Sequence, residues 1–143
     1  MITDRIIAID YGTERVGIAI SDATGTIAQS LETIRNNGEE YLAEQIQALI
    51  AENNAKKVVV GLPRALSGRD TEQTLITLKF IDFLKKKLSI EVITWDERFS
   101  TKEAVRGLIE ADISRKKRKN LKDKIAAQLI LQFYLDTLNI NNV

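Results

Sequence analysis

The chain has 143 residues, enough for one compact domain with a substantial core and too few for two of ordinary size. With 44% hydrophobic and 29% charged residues and a formal net charge of +1, it reads as a globular protein, neither disordered nor uniformly basic, although a local basic patch stays open. It contains no cysteine and no histidine, which removes disulfides, thiolate zinc sites, catalytic cysteines and every Ser-His-Asp arrangement and leaves carboxylates, Lys, Arg, hydroxyls or a hard metal held by oxygens.

The first apolar run, Ile6 to Ile9, has no polar residue to solvate an outer face, so it predicts a central strand covered on both sides. Asp10 closes it, and an ionised carboxylate there is costly unless it is hydrogen-bonded or binds a cation. Gly12 and Gly17 bracket a tight turn and a second strand through Ser21. Ile27 to Ile34 alternates over its first half and suits an outer third strand, completing an antiparallel meander. Asn36-Asn37-Gly38 breaks the pattern, and Glu39 to Asn53 carries Leu42, Ile46, Leu49 and Ile50 at helical spacing. Lys57 to Pro63 predicts a buried fourth strand. A helix follows from about Asp70 to Leu88, its apolar positions read as Leu75, Leu78, Ile81, Phe83 and Leu84. Glu91 to Trp95 is a fifth strand. Ser100 and Glu103 have capping-box spacing, which predicts a helix to about Ala111. Five consecutive cations, Arg115 to Lys119, predict an exposed, mobile loop, and the last helix runs from about Leu121 to Leu138.

No repeat, low-complexity tract or linker divides the chain, so a single domain over residues 1–143 is expected. The apolar runs are well short of the roughly 20 residues of a membrane helix, and the N-terminus is not a signal peptide, so a cytoplasmic protein with no membrane partner is expected. Three antiparallel strands followed by helix-crossed strands imply an α/β fold: a five-stranded mixed sheet of order 3-2-1-4-5 with helices on both faces, the succession of the ribonuclease H-like fold.

Open α/β sheets place ligands at their carboxyl end, so the acids forced there matter most. Asp10 ends the first strand. Glu97 follows the fifth and shares a face with Ile93 and Trp95, whereas Asp96 aligns with Val92 and Thr94. Asp123 starts the last helix. Three acids from three distant segments converge in this reading on one or two divalent cations, and oxygen-only ligation suits magnesium or manganese. Such ions drive phosphodiester hydrolysis without histidine. If the fourth strand separates the first from the fifth, Asp10 and Glu97 start about 10 Å apart, and Glu97 must lean across Gly61. Each acid also has an ordinary reading, Asp10 as the cap of a strand end in an ordinary hairpin, Glu97 as a surface partner of Arg98 and Asp123 as a helix-dipole acid.

The basic run Arg115, Lys116, Lys117, Arg118 and Lys119 comes just before Asp123, where cations hold a phosphate backbone irrespective of sequence. Arg15, Arg64, Arg69 and Arg98 occupy turns at the same sheet end and add candidate phosphate contacts. Tyr11 and Phe99 are candidates to stack on bases, and Trp95 reads better as core.

Asp10-Tyr11-Gly12 with Arg15-Val16-Gly17 and Ser21-Asp22, Gly61-Leu62-Pro63 with Gly68, Asp96 to Thr101, and Asp123 with Ala126-Ala127 and Ile130 to Gln132 resemble, in order and over nearly the whole chain, the YqgF (RuvX) family. One departure is Lys122, where the family usually has an aliphatic residue. The resemblance implies a ribonuclease H-like fold related to RuvC Holliday junction resolvases, with Asp10, Glu97 and Asp123 as catalytic, metal-binding acids. It implies a metal-dependent nuclease whose nucleic-acid partner is pre-16S rRNA, cut at its 5′ end, or branched DNA. A non-catalytic ribosome-associated factor is the other reading. The strand-turn-strand also resembles the phosphate loop of actin-like ATPases, but those need two such domains. A monomer or a homodimer is expected, the dimer being required only for symmetric junction cutting.

Overall fold

The computed structural model describes residues 4–97 and 115–141, without the side chains at 115–124, 140 and 141. Strand β1 (Arg5–Asp10) lies at the centre, with Ile6, Ile7, Ala8 and Ile9 all buried. It pairs antiparallel with β2 (Arg15–Ser21) on one side and parallel with β5 (Ala55–Leu62) on the other. The parallel partner β6 (Glu91–Asp96) extends the sheet beyond β5. Beyond β2 lie two short strands, β3 (Ala28–Ser30) and β4 (Ile34–Arg35), both antiparallel to it. The order β3-β2-β1-β5-β6 is the expected 3-2-1-4-5 arrangement, with the outer strand divided so that the sheet has six strands.

The division has a local cause. Ser30 pairs with Ala19 and Ile34 with Val16, so Leu31, Glu32 and Thr33 stand opposite only Gly17 and Ile18. One extra residue interrupts the ladder as a bulge does, and it exchanges the faces to which the following side chains point. Ala28 accordingly packs on one side of the sheet and Ile34 on the other.

Helix α1 (Glu39–Asn53) occupies the span expected of it and ends on Asn54 in the left-handed conformation, φ 53°. Helix α2 (Glu72–Lys87) starts on a Thr71–Thr74 capping box, and three lysines complement its carboxyl end. Its buried face differs from expectation: Thr74, Thr77, Phe80, Ile81 and Leu84 point inward, while Leu75 is 60% exposed. The cap fixes the rotation of this helix, because Thr74 Oγ1 also donates to the carbonyl of Pro63.

Helix α3 (Arg115–Asn141) corrects a second expectation, since the basic run Arg115–Lys119 has a helical backbone and is not a loop. Lys and Arg are good helix formers, and extending a helix already nucleated by packing adds a hydrogen bond for each residue fixed. The expected helix from Ser100 to Ala111 lies outside the described residues.

Strand alternation sorts the core into two layers. Ile7, Ile9, Val16, Ile18, Ile20, Val58, Val60 and Leu62 pack beneath α1 and α2, against Leu42, Ile46, Phe80, Ile81 and Leu84. Ile6, Ala8, Ala19, Ala28 and Val59 pack beneath α3, against Ala127, Ile130, Leu131 and Leu135. Helices therefore cover both faces. Among the described residues, no helix is long and apolar enough to cross a membrane.

Candidate active site

Asp10 is the last residue of β1, on the same face as Ile6 and Ala8 and therefore on the α3 side. Its antiparallel partner is Gly17. The parallel ladder pairs Ile9 with Val60, so the residue beside Asp10 on β5 is Gly61. The carboxylate is thus flanked by a glycine on each side, neither of which puts a side chain beside it.

Its backbone is held from both directions. Ile9 is fully buried, and Tyr11 stacks on Phe80 with ring centroids 4.1 Å apart and planes 16° from parallel. That contact places the Tyr11 ring in the α2 layer, not against a ligand. The turn that follows admits only glycine at position 12, because a Cβ there would overlap the carbonyl oxygen of Arg15. Asn36 closes the turn from β4, donating from Nδ2 to the Gly12 carbonyl at 2.8 Å.

Glu97 follows β6. Ile93 and Trp95 pack in the α3 layer and Val92 in the other, which puts Glu97 on the Asp10 side, as its register predicted. Its carboxylate crosses the end of β5: a Cβ on Gly61 would collide with Glu97 Oε1 and would lie 2.5 Å from Ile130 Cδ1. The expected lean across Gly61 is therefore present, and Oε1 is shielded from solvent. A carboxylate oxygen so shielded is tolerable only when it is bonded or ligates a cation. Among the described residues no group of three or more acids or other ligand side chains gathers; of the three predicted acids, Asp10 and Glu97 are those whose side chains are described.

Helix α3 descends across this face from the carboxyl edge. Ile130 meets Gly61 near the end of β5, whereas the Tyr134 hydroxyl accepts from Lys57 Nζ at 3.2 Å near its start. The backbone of Asp123 lies seven residues before Ile130, two helical turns further towards the edge where Asp10 sits.

The candidate phosphate contacts fare differently. Arg15 is exposed at the start of β2. Arg64 is engaged by carboxylates, its Nε 3.1 Å from Asp70 and its Nη1 3.8 Å from Asp96, which ties the β5–α2 loop to the end of β6. Arg69 is exposed on the same loop, next to Gly68 at φ 89°. Arg98 and Phe99 lie outside the described residues, as do the side chains of Arg115, Lys116, Lys117, Arg118 and Lys119. Trp95 packs edge-on against Tyr134, 6.0 Å between centroids, half-buried against the α3 layer of the core.

Two signature residues prove to be structural. Ser21 is buried and accepts the Ile6 backbone N–H at 2.8 Å. Asp22 accepts from the Thr24 hydroxyl at 2.7 Å and from the N–H groups of Thr26 and Ile27, and the Thr24 hydroxyl together with these amides holds its carboxyl below the usual carboxylate range. Sequence reasoning missed Asn36 and its neighbour Arg35, which stands opposite Arg15. Only the breaker Asn36-Asn37-Gly38 was legible there, and it carries no information on what the segment touches.

The comparisons agree with this geometry. Two solved structures share the fold. Thermus thermophilus RuvC in complex with a Holliday junction substrate has a TM-score of 0.57 at 12% identity, over 94% of this chain and 96% of that one. The fowlpox virus Holliday junction resolvase has 0.54 at 18%, over 94% and 99%. At such identities they establish the ribonuclease H-like fold. Nearer relatives, each named "Putative pre-16S rRNA nuclease", come from Staphylococcus haemolyticus strain JCSC1435 (46% identical over 141 residues, 96% of this chain and 99% of that protein) and Halothermothrix orenii strain H 168 (47% over 135 residues, 94% and 96%). The family model described as "RuvX: Holliday junction resolvase" matches residues 4–137, and with those relatives aligned over at least 94% of this chain, the chain belongs to the RuvX family.

Proposed function

We propose that this chain is a divalent-cation-dependent endonuclease that hydrolyses phosphodiesters in structured nucleic acid, and that it processes the 5′ end of pre-16S rRNA in the cytoplasm as a single domain. The observation that carries the reading is the Glu97 carboxylate folded into the space above Gly61, next to Asp10 on the same sheet face. The names of relatives 46% and 47% identical to the chain favour the RNA substrate.

The site fits a hard cation. Its donors are carboxylate oxygens, magnesium and manganese prefer such ligands, and the glycines at 17 and 61 put no side chain of their own beside Asp10. In this reading Asp10, Glu97 and Asp123 hold the metal. When bound, the cation supplies Lewis-acid stabilisation of the phosphoryl oxygens and a more acidic water.

The chain's own residues do the rest. The backbone of Asp10 is held by a buried strand behind it and a ring stack ahead of it. The Glu97 carboxylate occupies the space above Gly61, beside Ile130. With no imidazole available, the proton from the attacking water passes to solvent or to a carboxylate. Arg15, Arg64, Arg69, Arg98 and the run from Arg115 to Lys119 are the proposed phosphate contacts, which position a strand without reading its sequence. Trimming an RNA end asks for no particular oligomer.

The family's description favours a second reading, cleavage of branched DNA, which calls for a two-fold dimer. The test is to incubate the protein with a precursor 16S 5′-leader RNA and, separately, a four-way DNA junction, in magnesium, in manganese and in chelator. Metal-dependent cutting of the leader alone is the expected result. Cutting of the junction alone would move the assignment to the second reading, and cutting of neither would overturn nuclease activity.

A further inference from the structure

Arg15 and Arg35 are direct cross-strand partners on β2 and β4. Two cations placed opposite each other repel. Both are exposed, and neither side chain forms an ion pair or hydrogen bond with another described residue. With Thr13, Glu14, Thr33 and Asn36 they line a concave cavity of about 580 Å³. Among the described lining residues Glu14 carries one negative charge against the two guanidinium groups.

Three features make this a built arrangement. The bulge at Leu31–Thr33 turns Ile34 into the α1–α2 layer and therefore turns Arg35 to the opposite side. Strand β4 is only two residues long, yet it is braced: Asn36 N–H donates to the Glu14 carbonyl at 2.9 Å, its Nδ2 donates to the Gly12 carbonyl, and its Oδ1 accepts from Gly38 N–H at 3.1 Å. Finally, Arg15 is two residues from Gly17, the partner of Asp10, and shares its face, so the arginine pair begins about 7 Å along β2 from the catalytic candidate.

We propose that Arg15 and Arg35 form a phosphodiester-binding subsite that grips the nucleic-acid strand next to the phosphate being cut. This rests on the nuclease reading and adds Arg35 to the surface that reading describes. The pair is suited to one anionic phosphate held by two guanidinium groups, since each forms charge-assisted, forked hydrogen bonds that an ammonium does not. The ligand supplies the negative charge that relieves their mutual repulsion.

The test measures binding of the leader RNA and the four-way junction to the full chain by fluorescence anisotropy in chelator, across a salt series. Proteins compared are wild type, Arg15→Gln, Arg35→Gln, the double variant, and Lys56→Gln, an exposed cation near the amino end of β5. At about 0.1 M salt, each single arginine variant is expected to bind about tenfold more weakly, with the slope of log K against log salt shallower by about one. The double variant loses far less than the hundredfold that independent contacts would give, because both act on one phosphate. Lys56→Gln matches wild type, and no arginine variant melts lower. Wild-type affinity and slope in Arg35→Gln, or an equal loss in Lys56→Gln, would overturn the subsite while wild-type cleavage leaves the nuclease reading standing. A wild-type protein that neither binds nor cuts either substrate would overturn both.

Discussion

The two faces of the sheet use the same strands for different ends. Under α1 and α2 the side chains are large: Ile, Val and Leu from β1, β2 and β5 close on Phe80, Leu84, Leu42 and Ile46 with almost no exposure. Under α3 the strands offer Ala8, Ala19 and Ala28, with Gly17 and Gly61 towards the carboxyl edge. Small residues let α3 lie close and leave space at that edge for carboxylates. Among the described residues the first face carries most of the apolar burial, and the second gives up burial at the edge where Asp10 and Glu97 lie. Position 61 lies on the boundary between these uses, because the volume removed there is occupied by Glu97.

Substitutions separate the two. Phe80→Ala, on the large-residue face, is expected to cost about 3–5 kcal/mol of unfolding free energy in denaturant titration, through lost burial and an uncollapsed cavity. Cleavage by the fraction that remains folded should change little by comparison. Gly61→Val should reverse the pattern. The new side chain displaces the flexible end of Glu97, so cleavage drops about 10- to 100-fold, while overpacking costs only about 1–3 kcal/mol. Equal activity in Gly61→Val would mean that Glu97 does not need its present position. The smallest effect belongs to Asp22, at the far end of β2. Its folded pKa is depressed, so its contribution is present above the unfolded value and lost as pH falls through the folded one. Thermal melts of Asp22→Asn and wild type should therefore differ slightly at neutral pH and converge below about pH 4.

Much of this was legible because single residues had few alternatives. A run of four apolar residues ending in an acid is a central strand, and period-two alternation was enough to put Glu97 on the Asp10 side. The lean across Gly61 followed from strand spacing alone. What escaped depends on contacts between distant segments. The split of the outer strand comes from one surplus residue between Ser30 and Ile34, whose location only the register reveals. The inward face of α2 is set by a cap that binds Pro63, and this turns Leu75 outward in favour of Thr74 and Thr77. Tyr11 looked available to a base and is instead committed to Phe80. Like-charge repulsion argued for a loop at Arg115–Lys119, and helix propagation from the packed part of α3 outweighs it. Arg35 gave no signal because its importance lies in what stands opposite.

The most direct test is the activity of Asp10→Asn, an isosteric change that removes the charge from the acid between buried Ile9 and the stacked Tyr11 ring. Metal-dependent cleavage is expected to be abolished, while the melting temperature and the affinity for nucleic acid in chelator match wild type. Cleavage retained near the wild-type rate by a correctly folded Asp10→Asn protein would contradict a catalytic, metal-binding role for Asp10.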